Sequence, residues 1–430
     1  MTEPQSSHPS TKRSQRYGLR DGFFYAASQG GGEAYLSAFA LVFHATPFQV
    51  GLLSAIPQTL GVWAQFFSVW LLHRLEARRP VILGGIIAQV LMWGPLLLLP
   101  LAFPEYGAWL VIGCAVAYFA MGHVVIPAWN SLMTDLVHSH QWGSYFSRRA
   151  RVMTLTQFLA LIGGGVLLHW AEGYGTPLLG FSVMFLLAAM ARSGSVLMLA
   201  RVDERAAPTL PKLDLSILPS RQWIHNANFA RFLVFSGLFH ATALIAGPYF
   251  VIYLLQDLQW SYLEYTMWLA SGVLGQILTL PFWGRMSDRH GNRALMRWCG
   301  VFVPVLPILY LFHTAVPYLT MVNFFGGVLW SGLALGLQNF VFHAVPREDR
   351  AMGIAVWNAV NGFGWFVGAM TGSWLAMVLP SQSMIPLLNI SLTTSLPLVF
   401  LVSGLLRGVV FWGFLGRFTE AEAQAIRQAA

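Results

Sequence analysis

A chain of 430 residues could fold as two or three soluble domains, yet 56% of it is hydrophobic and only 10% is charged, against roughly 25% in an ordinary soluble domain. With 17 Trp, 41 Gly and a mean hydropathy of +0.59, the composition excludes soluble classes and points to a polytopic helical membrane protein. Cys114 and Cys299 both fall in apolar runs, which argues for spectator thiols rather than a disulfide framework or a metal cluster. The net charge of +8 raises nucleic-acid binding, which the placement of the charges argues against.

Residues 1–20 form a polar, basic tail. The apolar run after them contains Gln29 and Glu33 and lacks a convincing cleavage site, so it reads as a retained first helix rather than a signal peptide. A spanning helix needs about 20 mostly apolar residues. Charge clusters, Gly and Pro then divide the chain into twelve such segments: 21–44, 48–72, 80–100, 108–133, 149–170, 178–200, 229–255, 262–283, 294–313, 317–343, 351–379 and 396–416. With the N-terminus placed in the cytoplasm, every outer loop is free of Lys and Arg; the basic residues lie on the inner side, save Arg192 and Arg407 inside helices. This matches the positive-inside rule and puts both termini in the cytoplasm. The basic side then faces anionic inner-leaflet lipid, and no nucleic-acid partner is expected.

The fold class expected is therefore an all-α membrane protein of twelve transmembrane helices, arranged as two pseudo-symmetric six-helix bundles. The halves are 21–200 and 229–416, joined by a cytoplasmic linker over 201–228 that carries Pro208, Pro211 and Pro219, with a tail at 417–430. A weak internal repeat supports the division. Gln65 to Arg74 matches Gln276 to Arg285, Asn130 matches Asn339, and Arg192 matches Arg407, at an offset of about 210 residues.

After the eighth helix comes Gly284-Arg285-Met286-Ser287-Asp288-Arg289-His290-Gly291-Asn292-Arg293. This stretch resembles the signature loop of the major facilitator superfamily, Gly-x-x-x-Asp-Arg/Lys-x-Gly-x-Arg/Lys, at its usual place between helices eight and nine. The resemblance implies a secondary transporter working by alternating access. Helices one, four, seven and ten would line a central cavity, and Gly284, Asp288, Arg289, Gly291 and Arg293 would belong to a cytoplasmic gate. The alternative is a loop that only sets topology. The first-half copy, His73 to Arg79, departs from the pattern: His73 replaces the first glycine, and Glu76 is the candidate for the missing acid. A second charged patch, Asp135 to Arg151 with Arg148 and Arg149, has a counterpart in Val345 to Arg350. Both patches resemble inner gates; a solvated charged face is the other reading.

Polar residues inside the helices supply the candidate pathway. Gln29, Glu33, Ser37 and His44 fall within about 40° of one face at 100° per residue. Glu33 lies about 20 Å of helix beyond Arg20, near the middle of a ~30 Å core. Burial there disfavours a charged carboxyl, which suits Glu33 to taking up and releasing a proton; a protonated Glu bonded to a neighbouring helix is the alternative. Gly30, Gly31 and Gly32 before it would admit either a ligand or another helix. The repeat aligns His240 with Gln29. His123, Asn130, Gln338, Asn339, Trp357, Asn358 and Asn361 are further ligand candidates, with interhelical hydrogen bonding as the competing role. Arg192 and Arg407, related by the repeat, are expected to share a structural role, with substrate-anion binding as the alternative and Asp135 a candidate partner for Arg192.

No catalytic set, P-loop or metal-ligand cluster appears, so neither an enzyme nor a cofactor is expected. The reading is a monomeric secondary carrier of a small organic solute, with protons as coupling ion, in the plasma (inner) membrane if the chain is bacterial. A uniporter, or a non-transport assembly or lipid-binding scaffold on the same fold, is the alternative.

Overall fold

The computed structural model describes residues 9–138, 141–204, 226–345, 350–381, 383–385 and 390–419. Most of the expected linker, the charged stretch Pro346 to Asp349 and the C-terminal tail from residue 420 lie outside the described residues. Twelve helical rows run in order: α1 (Pro9–Gly31, continued as Leu36–Val42), α2 (Pro47–Leu75), α3 (Arg78–Ala102), α4 (Gly107–Leu136), α5 (Trp142–Gly173) and α6 (Pro177–Leu199). They continue as α7 (Ala227–Leu244, extended through Phe250–Ile252 to a π turn at Tyr253–Asp257), α8 (Tyr262–His290), α9 (Asn292–Phe302, continued as Val305–Ile308), α10 (Val316–Ala344), α11 (Arg350–Val378) and α12 (Leu396–Phe414). A small antiparallel hairpin, β1 (Ser383–Ile385) with β2 (Ile390–Leu392), precedes α12.

The chain is thus an all-α, multi-pass membrane protein. Nine helices among the described residues are long and apolar enough to cross a membrane. The remaining rows, α1, α8 and α11, are interrupted or richer in polar, Trp and Gly residues. The first row is already helical at Pro9, the first described residue, rather than from residue 21, because nothing between it and Asp21 breaks a helix.

Local chemistry sets the helix ends. Ser261 and Glu264 form a reciprocal capping box at the start of α8: the Glu264 N–H donates to Ser261 Oγ at 3.3 Å, and the Ser261 N–H donates to Glu264 Oε2 at 2.8 Å. Asn226 caps α7 by accepting from the Asn228 N–H at 2.8 Å. At the start of α3 the cap comes from far along the chain, where the Glu204 carboxylate accepts the backbone N–H of both Arg78 and Arg79.

The chain divides into two compact units, residues 1–44 with 60–213, and residues 45–59 with 214–430. In the first unit α1 packs on α5 and α6, and α3 on α4. Phe39, Phe181, Phe185, Trp93 and Tyr118 interlock near the continuation of α1, with ring centroids 4.9 to 5.2 Å apart for Phe39–Phe185 and Trp93–Phe185. In the second unit α10 packs on α8 and α9, and α11 on α7. Its core is a phenylalanine stack, with Phe232 and Phe340 centroids 4.4 Å apart and Phe418 against both.

The α7–α11 contact is backbone to backbone. A Cβ at Gly368 would lie only 2.0 Å from the Ala241 carbonyl oxygen, with Gly364 and Gly372 in similar contact one turn to either side. Gly368→Val should therefore force the two helices apart, at a cost of about 3 kcal/mol. A thermal unfolding midpoint in detergent checks this, and it should fall clearly below wild type.

Candidate functional site

Glu33 sits where α1 stops being regular. Gly32 has φ −131° and ψ −67°, and Glu33–Tyr35 form a single 3-10 turn before the helix resumes. The cause is close packing. A Cβ at Gly30 would meet the Gln157 carbonyl oxygen at 2.1 Å, and one at Gly32 would meet Trp93 at 2.6 Å and Ala188 at 2.7 Å. The glycines therefore admit α5, α3 and α6. The expectation left a ligand or a helix open, and helices occupy the space.

Around Glu33 the first unit holds a continuous polar cluster. Tyr118 on α4 donates its hydroxyl to Glu33 Oε1 at 2.7 Å, and Gln29 also bonds to the carboxylate. Gln29 Nε2 donates to the Tyr25 hydroxyl at 3.0 Å. Arg192 on α6, only 4% exposed, lies over the Tyr25 ring at 4.3 Å. Its Nε donates to Gln89 Oε1 at 3.1 Å and its Nη1 to Ser195 Oγ at 3.3 Å. Ser195 in turn donates to Asp21, whose other oxygen pairs with Arg149 at 3.1 Å. Arg149 reaches the Gly18 carbonyl at 3.3 Å and stacks on Trp129 at 4.0 Å. The cluster thus runs from Glu33 to the basic end of α5, with Asp21, Gln89, Tyr118, Arg192 and Ser195 buried and Tyr25, Gln29, Glu33 and Arg149 half-buried.

This arrangement corrects two expectations. Asp135 is not the partner of Arg192, because it lies at the end of α4 and pairs there with Arg78 at 2.6 Å. Within the Asp135 to Arg151 patch, Arg149 reaches back to Asp21 on α1. The straight polar stripe on the first helix is also interrupted: beyond the 3-10 turn Ser37 is half-buried, and His44 is exposed with a left-handed φ of 54°. Sequence reasoning missed Asp21, Tyr25, Gln89, Tyr118 and Ser195. Asp21, Tyr25, Gln29 and Glu33 recur every four residues, which could have flagged the face; Gln89 and Tyr118, on other helices, carried no such signal.

Among the remaining first-unit candidates, His123 Nδ1 lies 3.3 Å from Gln65 Nε2, with its ring over Gly61, so it joins α4 to α2. Asn130 and Arg148 are exposed. The first-half signature region is organised by Arg78, which is 3% exposed and also donates to Ser131 Oγ at 2.9 Å. Glu76, the candidate acid there, is exposed with φ 49°.

In the second unit Ser236 is a hub that sequence reasoning did not name. Trp357 Nε1 donates to Ser236 Oγ at 2.8 Å, and Ser236 Oγ donates to Asn361 Oδ1 at 2.8 Å. His240 Nδ1 lies 2.8 Å from the Ser236 carbonyl, and its ring meets Trp365 and Trp330. The structure thus brings His240, Trp357 and Asn361 together, leaves Asn358 half-buried and leaves Gln338 exposed. The signature stretch is mostly helix rather than loop: Gly284, Asp288 and Arg289 lie on α8, the last two exposed. Only Gly291 turns, with φ 81°, a conformation that favours glycine. Ser287 donates to Asn292 Oδ1 at 2.6 Å and accepts from Asn339 Nδ2 at 3.3 Å, fastening this corner to α10; Arg293 is half-buried beside it. Arg407, 4% exposed, donates to the Ala243 carbonyl at 3.0 Å.

The Major Facilitator Superfamily family model matches residues 229–428. No curated protein matches the chain. Among solved structures, the nucleoside transporter NupG is similar at 13% identity with a TM-score of 0.68, over 96% of this chain and 100% of that one. A bacterial homologue of the iron transporter ferroportin, in an inward-facing state, is similar at 15% identity with a TM-score of 0.67, over 94% and 99%. A D-xylose-proton symporter is similar at 14% identity with a TM-score of 0.63, over 97% and 99%. At these identities the likeness is one of fold, and it extends over nearly the whole chain.

The Arg78–Asp135 pair is testable by itself. Asp135→Asn leaves a buried guanidinium without its counter-charge and should cost about 3 kcal/mol, since the acid is still 29% exposed. Arg78→Met combined with Asp135→Leu should recover a large part of that loss. Denaturant or thermal unfolding of the three proteins checks both outcomes.

Proposed function

We propose that this chain, a multi-pass membrane protein with the major facilitator superfamily fold, is a secondary transporter of a small organic solute, coupled to protons through Glu33. Both termini are assigned to the cytoplasm by the distribution of Lys and Arg. The observation that carries the coupling is Glu33 itself: a carboxylate at the break in α1, bonded by the Tyr118 hydroxyl and part of the polar cluster that holds Arg192.

Protonation of Glu33 removes one of the two acids that compensate Arg192. The guanidinium is then left with Asp21, reached through Ser195, on the side toward Arg149. A proton arriving at Glu33 thereby redistributes charge along α1, α5 and α6, the elements a moving half must shift together. The break after Gly32 leaves the two segments of α1 joined by one 3-10 turn, where such a change can act on the backbone. In this reading the polar candidates of the second unit, His240, Trp357 and Asn361 gathered on Ser236, bind the solute.

A uniporter is the second reading. The nearness of Arg192 favours it, because a permanent cation is what an acid with a purely structural role requires. Reconstituted protein distinguishes the two by solute counterflow with and without an imposed pH gradient. Coupled transport should respond to the gradient; Glu33→Gln should abolish that response, and Tyr118→Phe should weaken solute accumulation several-fold. Gradient-driven accumulation unchanged in Glu33→Gln would overturn proton coupling through this residue.

A further inference from the structure

The two intramembrane arginines differ in how their charge is met. Arg192 has Gln89, Ser195 and the Tyr25 ring in direct contact, with the acids Glu33 and Asp21 beyond. Arg407, its counterpart in the repeat, has one carbonyl, that of Ala243, and the face of Trp330 at 5.9 Å. Its Nε is buried without a hydrogen-bond partner. A guanidinium so placed is costly unless an anion meets it.

Arg407 lines a cavity of about 430 Å3 inside the second unit. No Asp or Glu lines this cavity. Among the described acids of this unit, Asp257 ends the π turn after α7 with one carboxylate oxygen buried and unpartnered, and it is not in the cavity lining; Glu264 closes the capping box on Ser261, and Asp288 is exposed on α8. The wall is mainly apolar and aromatic, with Trp330 and Tyr310, while Gln276, Asn323 and Ser331 supply polar groups. The Tyr310 hydroxyl accepts from Trp268 Nε1 at 2.8 Å, and Asn323 Nδ2 donates to the Trp268 carbonyl at 2.6 Å, which fixes both side chains against the wall.

We propose that this cavity binds a small organic monocarboxylate, with Arg407 as the anion anchor. One guanidinium matches one negative charge, and a dianion would leave excess charge among apolar side chains. A planar carboxylate can take charge-assisted hydrogen bonds from guanidinium N–H groups. The aromatic wall takes the apolar body of the ligand. A solute and a membrane fatty acid share this chemistry. The site lies within the second unit and stands independently of the proton-coupling reading of Glu33.

Thermal unfolding of the purified full-length protein in detergent tests the proposal, with benzoate as the solute probe, benzamide as its neutral control and laurate as the fatty-acid probe. Benzoate at about 100 times its Kd should raise the midpoint by roughly 3–5 °C, while benzamide should leave it unchanged. Arg407→Gln should abolish the shift. Gly326→Leu supplies a second variant that keeps the arginine and fills the cavity; a Cβ at that position meets only Asn323 and Leu306, at 3.7 and 3.9 Å. It too should abolish the shift. A response to laurate rather than benzoate, lost in both variants, supports the same anchor and assigns the ligand to the membrane. No response to either carboxylate, an equal response to benzamide, or a shift that survives both substitutions would overturn the proposal.

Discussion

The first half of this protein depends on keeping the guanidinium of Arg192 inside an apolar bundle. An ion in such a place must find its partners within the protein, since neither lipid nor water is there to solvate it. Gln89 on α3, Ser195 on α6, Tyr25 on α1 and the two acids of α1 meet that demand. Each partner comes from a different place in the sequence, so satisfying one charge fixes the mutual register of three helices. Tyr118 then binds α4 to the same arrangement through Glu33.

The backbone answers this electrostatic requirement with glycine. Side chains at positions 30 and 32 would hold α1 away from α5, α3 and α6, and the polar groups could not then reach one another. The same contact deforms α1 into a 3-10 turn at the acid. Functional groups placed at such irregularities gain precision because packing, rather than the helix alone, sets their direction. In the second half the close α7–α11 contact plays the comparable part, and there the hydrogen bonds converge on Ser236 instead of on a charge.

The sequence made the architecture legible because spanning helices announce themselves by long apolar runs, and because arginine placement separates the two ends of each helix. Ten of the twelve rows begin within two residues of the expected bounds, and the fifth begins earlier, at Trp142, because its charged first turns are helical too. The first also begins earlier, since amphiphilic residues such as Arg13 and Gln15 can continue a helix beyond its apolar part. Within the sites, legibility stopped at the single helix. Glu33 stood out as an acid in an apolar run, whereas Tyr118 and Gln89 look like ordinary polar interruptions until α3 and α4 are folded against α1. The Asp135 assignment failed for the same reason. Two residues on different helices can be matched by charge, but their depths along those helices cannot be compared without the packing. Arg192 and Arg407 looked equivalent in the repeat, and only their surroundings separate them.

The carboxylate of Glu204 caps the start of α3 from just beyond the end of α6. It lies 126 residues after Arg78 in the chain. During synthesis, α3 therefore leaves the ribosome with its first N–H groups unmet and keeps them so until all six helices of the first half have emerged. The last turn to be made thus latches one of the earliest helices. That gives the half a natural point of completion before the second half is translated, and it makes the few residues from Ala200 to Glu204 part of the folded body.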